Sequence, residues 1–463
     1  MQRFKHLRHS LWFVTLLLLG VTALSACAAA PDAASPSGSA DAGGGERQTV
    51  TMWFWGAPPE HQETMKAVLV DPYNASQSEY ELVVEFRNTV DKDISVALAA
   101  GEGPDIVYGS GPSFVAPYAT AGKLENMDAC SAANGWQDRI LQPIYESGTV
   151  NGSLYSLPNS LNTLGIFYNK AVLEENGWTP PTTIEELEAI MDEAMAQGMY
   201  ASVTGNKGWK PVNENYASLF LTHAAGPQAV HDALTGELAW TSPEIQAAVE
   251  KSAEWYQKGY LAGEDYVNLN FNDAVQLLAD GRSPFFIGPT LVFQFATQFF
   301  QGEDAANLGF IPFPNVNEEL AYPLYTLGTT ASLSINANSD VKDAACAIID
   351  RMMTDQFLVD MTARWPGYWG VPVKEINVDS SQLTGLSAEY LSAIADIMAA
   401  INSGNFGYFT ATFFPPATQQ EFINIDTVWL GTESASDMLE RVETVFTEEL
   451  NANLVPPIPA PAQ

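Results

Sequence analysis

The stretch from Gln48 to Tyr108 constrains the fold more than any other. Gln48 to Trp55 (QTVTMWFW) alternates and is rich in β-branched and aromatic residues, which predicts a strand. Helical spacing follows from Glu60 to Asn74, and Tyr80 to Phe86 (YELVVEF) predicts a second strand. Asp93 to Ala100 is again helical, with Gly101 as its stop, and Pro104 to Tyr108 predicts a third, short strand. A strand returning after about 30 residues suits a βαβ unit, so the chain belongs with α/β sheets having parallel strands.

Further along, Thr183 to Glu186 reads as a capping box with Gly198 ending its helix. Thr241 to Glu244 reads as another, leading into a stripe of Ile245, Ala248, Val249, Ser252, Ala253 and Tyr256. Beyond residue 380 the pattern is helical apart from an aromatic loop, Asn405 to Pro416, and the Pro-rich tail from Pro456 is expected to be disordered. With 463 residues, about three domains or two large lobes are expected.

The N-terminus carries its own signal. Arg3, Lys5 and Arg8 precede an apolar run from Leu11 to Ala23. That run is too short for a bilayer core, which takes about 20 residues, and reads as an export signal. It ends in Leu24-Ser25-Ala26-Cys27, which resembles the bacterial lipobox; residues 1–26 are then a signal peptide and Cys27 the lipidated N-terminus. The Ala-, Pro-, Ser- and Gly-rich residues 27–48 read as a flexible tether. The other two cysteines, Cys130 and Cys346, allow one disulfide in an exported protein. The apolar helical setting of Cys346 points instead to two buried thiols, and the choice stays open.

Charge removes several functions. Lys plus Arg number 20 against 55 Asp plus Glu, a formal charge of −35. Nucleic-acid and anionic-lipid binding both need a basic footprint, so neither is expected, and the membrane is reached only through lipid on Cys27. Of five histidines, His6 and His9 fall in the signal; no zinc motif, Walker loop, G-x-S-x-G elbow or GxGxxG is present, so no metal, cofactor or enzymatic activity is expected. Asp91 to Glu102 faintly resembles a calcium loop, but Val96 stands where the turn needs Gly, and the segment reads better as an amphipathic helix. Carboxylate pairs suited to glycoside hydrolysis cannot be located among so many acids.

The aromatics are the positive signal. Trp53 and Trp55 end the first strand on one face, and Trp365, Tyr368 and Trp369 sit in a Pro/Gly loop. Ligands of open α/β sheets bind at strand ends, and aromatic faces pack on sugar rings while neutral polar groups bond the hydroxyls.

Several stretches then match one family in order. Thr49 to Gly56 resembles its first strand, and Leu98 to Asp128 (LAAGEGPDIVYGSG…YATAGKLENMD) its "ALAAGxxPDVV" segment. Asn151 to Lys170 (NGSLYSLPNSLNTLGIFYNK), Asn272 to Thr290, Leu327 to Ser339 and Trp365 to Val373 continue the match. By these motifs the chain resembles the extracellular solute-binding proteins of ABC importers, family 1, of which maltose-binding protein is the best-known relative. The resemblance implies a periplasmic-binding-protein-like fold: two α/β lobes with a ligand cleft at a strand hinge. Its order implies residues 49–160 and 327–379 in lobe 1, and 161–326 and 380–463 in lobe 2.

It further implies a substrate-binding subunit, monomeric, lipid-anchored on the extracytoplasmic face of the cell membrane, capturing a neutral mono- or oligosaccharide for a permease. A polyamine or glycerophosphodiester receptor, a sensory subunit and a secreted glycoside hydrolase are the rival readings. The implied ligand-binding residues are Trp53, Trp55 and His61 after the first strand, and Tyr108 and Ser110 after Pro104-Asp105. Asn162 and Thr163 precede the "FYNK" strand, where relatives often carry Asp or Glu. Thr290 replaces a Trp common in the family, leaving stacking to Phe293 or to Trp365, Tyr368 and Trp369; Thr329 and Trp209 complete the set.

Overall fold

The computed structural model describes residues 47–462. The export signal, Cys27 and nearly all of the tether lie outside the described residues. The thirteen strands, in chain order, are β1 Gln48–Trp55, β2 Tyr80–Arg87, β3 Ile106–Gly109, β4 Thr149–Val150, β5 Ser153–Leu154, β6 Leu157–Pro158, β7 Leu161–Asn162, β8 Leu164–Asn169, β9 Phe285–Pro289, β10 Leu308–Pro312, β11 Tyr325–Thr329, β12 Ser332–Ile335 and β13 Phe406–Tyr408.

They form two α/β lobes around separate sheets. The first sheet has the order β2-β1-β3-β12-β6, with β1 parallel to both neighbours and β12 antiparallel to β3 and β6. The alternation of QTVTMWFW sets its faces: Val50, Met52 and Phe54 are fully buried, while Trp53 and Trp55 share the opposite, half-buried face. The other lobe carries the antiparallel sheet β10-β8-β9 and the sheet β13-β11-β7. Residues 90–100, the faint calcium loop, form a helix capped by Gly101.

Two strand crossings join the sheets. The chain leaves the first sheet at β6 and enters β7 through Asn159-Ser160; it returns from β11 to β12 through Thr330-Ala331. The crossings run side by side, with Asn159 N donating to Ala331 O at 3.1 Å and Thr330 N to Ser160 O at 3.1 Å. A third passage lies beside them, since Leu161 N donates to Gly370 O at 2.7 Å.

Three local expectations are corrected and one open choice, the disulfide, is decided. The Thr183–Glu186 capping box forms, but the one expected at Thr241 does not. Ser242 is the N-cap there, because Pro243 takes the first helical position; the third position then falls on apolar Ile245, and Ser242 Oγ is unpartnered. Cys130 and Cys346 form a disulfide with Cα atoms 6.0 Å apart, joining helices Asp128–Asn134 and Lys342–Met352. The apolar stripe of the second helix is Ala344, Ala345, Ile348 and Ile349, and Cys346 faces away from it. Asn405 to Pro416 is more than a loop: it contributes β13, parallel to β11, and one helical turn, Thr410–Phe413. The tail is packed rather than disordered. Pro456, Pro459 and Pro461 are buried, and Tyr408 Oη donates to Pro459 O.

Candidate functional site

The crossings are made of uncharged residues. Ser156 to Thr163 (SLPNSLNT) and Gly328 to Ser332 (GTTAS) contain no ionisable side chain, and all but Thr330 are buried. Burying polar groups is costly unless they are hydrogen-bonded. Here several are not: Asn159 Oδ1 and Nδ2, Asn162 Nδ2, Thr329 Oγ1, Ser332 Oγ and Ser156 Oγ are buried without partners. The remaining groups are tied together. Asn162 Oδ1 accepts from Thr290 Oγ1 at 2.8 Å and from Leu291 N at 3.2 Å. Thr163 N donates to Thr290 Oγ1, and Thr163 Oγ1 lies 3.3 Å from Thr326 Oγ1. The Asn162 amide is thereby held with its Nδ2 donors free.

An aromatic wall adjoins these groups. His61, in the helix Pro59–Met65, stacks on Trp365 with centroids 4.0 Å apart and ring planes 12° apart. Trp365 also stacks on Tyr368 at 4.7 Å, and Trp55 lies 5.7 Å from Tyr368 and 6.1 Å from Trp365. Tyr108 Oη is 3.2 Å from Tyr368 Oη, while Ser160 Oγ donates to Tyr368 O and contacts Thr330 Oγ1 at 2.8 Å. The wall therefore joins directly to the crossings. Trp55 Nε1 and His61 Nδ1 are further buried atoms without partners. Burial lowers the His61 pKa against the opposing pull of Glu60, which favours a neutral imidazole. Burial raises the hydroxyl pKa of Tyr108 and of Tyr368, so both remain protonated donors.

Two glycines fix the geometry. Gly111 has φ +124°, and a Cβ there would stand 3.0 Å from Thr329 Oγ1. Gly367 has φ +99°, and a Cβ would stand 2.7 Å from Gln294 N. That close approach lets Trp365 Nε1 donate to the buried Gln294 Oε1 at 3.0 Å.

The structure thus brings together Trp55, His61, Tyr108, Asn162, Thr163, Thr290, Thr329, Trp365 and Tyr368. Ser110 is exposed, one residue beyond β3 and next to Gly111. Trp53 is half-buried with the Arg87 guanidinium 3.6 Å from its ring centroid. Trp209 is 48% exposed just before the helix Val212–Phe220. Phe293 is fully buried among Phe167, Phe310 and Tyr390, and Trp369 is fully buried between Phe54 and Phe357; both are packed as core. Sequence reasoning missed Asn159, although the same quoted motif contains it, and Gln294. It also missed Glu214, discussed below, because nothing in its local pattern marks a buried carboxylate. Among the described residues, no group of three or more His, Cys, Asp and Glu could hold a metal ion.

The fold and this neutral, aromatic-walled crossing define a two-lobed binding protein. The model of the family described as bacterial extracellular solute-binding protein matches residues 68–389, and the chain belongs to that family. It is 26% identical over 180 residues to the diacetylchitobiose binding protein of Streptomyces coelicolor, covering 36% of this chain and 38% of that one. It is 27% identical over 191 residues to the maltotriose-binding protein of Pyrococcus abyssi, covering 40% of this chain and 36% of that one. The chain thus spans less than two fifths of the length of these two curated relatives. Among solved structures, a chitin oligosaccharide binding protein superposes with a TM-score of 0.72 at 17% identity, covering 88% of this chain and all of that one. The sugar-binding protein MalE of Xanthomonas citri superposes with a TM-score of 0.69 at 17% identity, covering 88% and 98%. Among the described residues no helix is long and apolar enough to cross a membrane.

Proposed function

We propose that this chain is the substrate-binding subunit of an ABC importer, tethered outside the cell membrane by lipid on Cys27, and that it takes up a neutral mono- or oligosaccharide between its lobes and delivers it to a permease. In this reading the lobes follow residues 49–160 with 327–379, and 161–326 with 380–463, and the ligand-binding residues are those of the expected set that meet at the crossings. One observation carries the reading. Buried amide and hydroxyl groups without partners stand against an aromatic wall, with no charged side chain among the crossing residues. Sugar hydroxyls both donate and accept, which such groups need, and the apolar ring faces suit the wall. A phosphodiester would need a cation at the crossings, and a polyamine a carboxylate. Closure of two lobes on the ligand supplies the two states that a permease distinguishes. The names of two relatives, a diacetylchitobiose binding protein and a maltotriose-binding protein, support the same substrate class.

The test is a thermal-shift and calorimetric screen of the chain from residue 27, with Cys27→Ser, against oligosaccharides, polyamines and glycerophosphodiesters. A ligand at about 100 times its Kd adds about 2.7 kcal/mol, which is several degrees. A sugar hit recovered unchanged by chromatography supports a receptor. A shortened sugar moves the case to a hydrolase, and a polyamine or phosphodiester hit overturns the carbohydrate reading.

A further inference from the structure

The helix Val212–Phe220 is buried along its whole length, and Glu214 lies inside it with no exposed surface. Among the described residues no salt bridge reaches its carboxylate, whose oxygens accept only from Thr410 Oγ1, at 3.0 Å, and Gln419 Nε2, at 3.1 Å. Thr410 opens the helical turn Thr410–Phe413, and this residue is held twice more, since its N donates to Ser218 Oγ at 3.1 Å and its Oγ1 lies 2.8 Å from that hydroxyl. The same turn meets the crossing strand. Phe409 N donates to Leu327 O, and Thr329 N donates to Thr412 Oγ1, both at 3.0 Å. Thr329 carries one of the unpartnered hydroxyls of the site. A continuous set of contacts therefore runs from Glu214 through Thr410–Thr412 to β11.

We propose that Glu214 is a positioning residue of the site: through Thr410 it seats the Thr410–Phe413 turn against β11, and it binds a proton when the turn is seated. The proposal rests on the crossings being the ligand site. Its physical basis is linkage. An uncompensated buried carboxylate is disfavoured when ionised, and here burial raises the pKa to about 7, partly offset by Gln419 and Thr410. If the turn lifts, water reaches the carboxylate and its pKa falls. Ionisation therefore favours the lifted turn, and protonation the seated one.

The other ionisable groups on the packed elements are held neutral by burial, paired or exposed. The Thr410–Phe413 turn, Ile423–Ile425 and β9 carry none, and β8 offers Tyr168, whose pKa is raised. His223 is held neutral, with its pKa lowered to about 4. On the helix Pro243–Gln257, Lys251 and Glu254 are paired with each other, Glu244 and Glu250 are exposed, and Tyr256 has a raised pKa. Glu421 is paired with Arg441, and Asp426 with Lys210. Tyr216 and Tyr266 also have raised pKa values and stay neutral.

The experiment is hydrogen exchange on the chain from residue 27 (Cys27→Ser), without ligand, from about pH 4 to about pH 8.5 and corrected for intrinsic exchange. In the wild type, opening at residues 409–414 should rise up to about tenfold per pH unit above about pH 4.5 and level off above about pH 7. Glu214→Gln should stay seated and lose the inflection, with amides of β1 unchanged. Thr410→Val should raise opening at every pH, because it removes the link while keeping the carboxylate. A wild-type profile without the inflection, or an inflection that survives in Glu214→Gln, overturns the proposal. Because no ligand is used, this result stands apart from the outcome of the carbohydrate screen.

Discussion

Two aromatic clusters of this protein look alike in sequence and differ in what surrounds them. Phe293 packs edge-on against Phe167 at 4.9 Å and Tyr390 at 5.3 Å, within an apolar setting. Trp365 packs against His61 and Tyr368 as closely, but beside the unpartnered amides and hydroxyls of the crossings. The first cluster leaves one buried polar atom, Tyr390 Oη, without a partner; the second stands beside a whole set of them. Aromatic content therefore says little about binding, whereas several unpartnered buried polar groups gathered in one place say where binding can be strong.

The largest expected effect lies in the first cluster. Phe293→Ala leaves a cavity in a fully buried position and should cost about 3–5 kcal/mol of unfolding free energy, measured by urea denaturation. A loss under about 1 kcal/mol would remove Phe293 from the core and dissolve the contrast with Trp365.

Glu214 gives the next effect. Its folded pKa, about 7, lies above the unfolded value near 4.5, so the folded state holds the proton more tightly. That contribution is fully present below about pH 4.5 and is lost as pH rises to about 7. The loss amounts to about 3 kcal/mol, at about 1.36 kcal/mol per pKa unit. Subtracting the stability–pH curve of Glu214→Gln from that of the wild type isolates it from the other carboxylates. A flat difference curve would show that Glu214 is hydrated in the folded protein.

Asn159 sharpens the contrast at the crossings. Both polar atoms of its side chain lack partners in a fully buried position. Replacing an unsatisfied buried group by an apolar one is nearly neutral or stabilising. Asn159→Ala should thus leave unfolding free energy within about 1 kcal/mol of the wild type, yet weaken sugar binding about tenfold, the worth of a typical hydrogen bond. Loss of stability with unchanged affinity would make Asn159 structural.

Much of the fold was legible before the structure. β1 begins and ends where QTVTMWFW does, and the Thr183 capping box forms, because both rest on local chemistry. The candidate site was partly legible. Motif order pointed to Tyr108, Asn162 and Trp365, which lie together at the crossings, but separating Trp365 from Phe293 required the partners that only tertiary packing supplies. The tail was misread for the same reason, since buried prolines need the Tyr408 and Gly404 surfaces to pack on; Thr241 was misread locally, because Pro243 takes the first helical position and moves the cap to Ser242. The disulfide closes between residues 216 apart, a distance over which local pattern carries no information.

Trp209 is the smallest effect and the sharpest test of the contrast, because it belongs to neither cluster. It is 48% exposed, in the loop before the helix that carries Glu214, and its backbone is fixed by a turn from Asn206 rather than by packing of the indole. Removing a half-exposed ring while keeping the backbone turn should change unfolding free energy by no more than about 0.5 kcal/mol. A large aromatic that contributes so little to folding is available for a ligand that spans from one lobe to the other. Trp209→Ala should therefore weaken binding of a long oligosaccharide several-fold and leave a monosaccharide unaffected, measured by calorimetry with a graded series. Equal weakening for both would put Trp209 at the crossings themselves, and no weakening for either would leave the indole as surface.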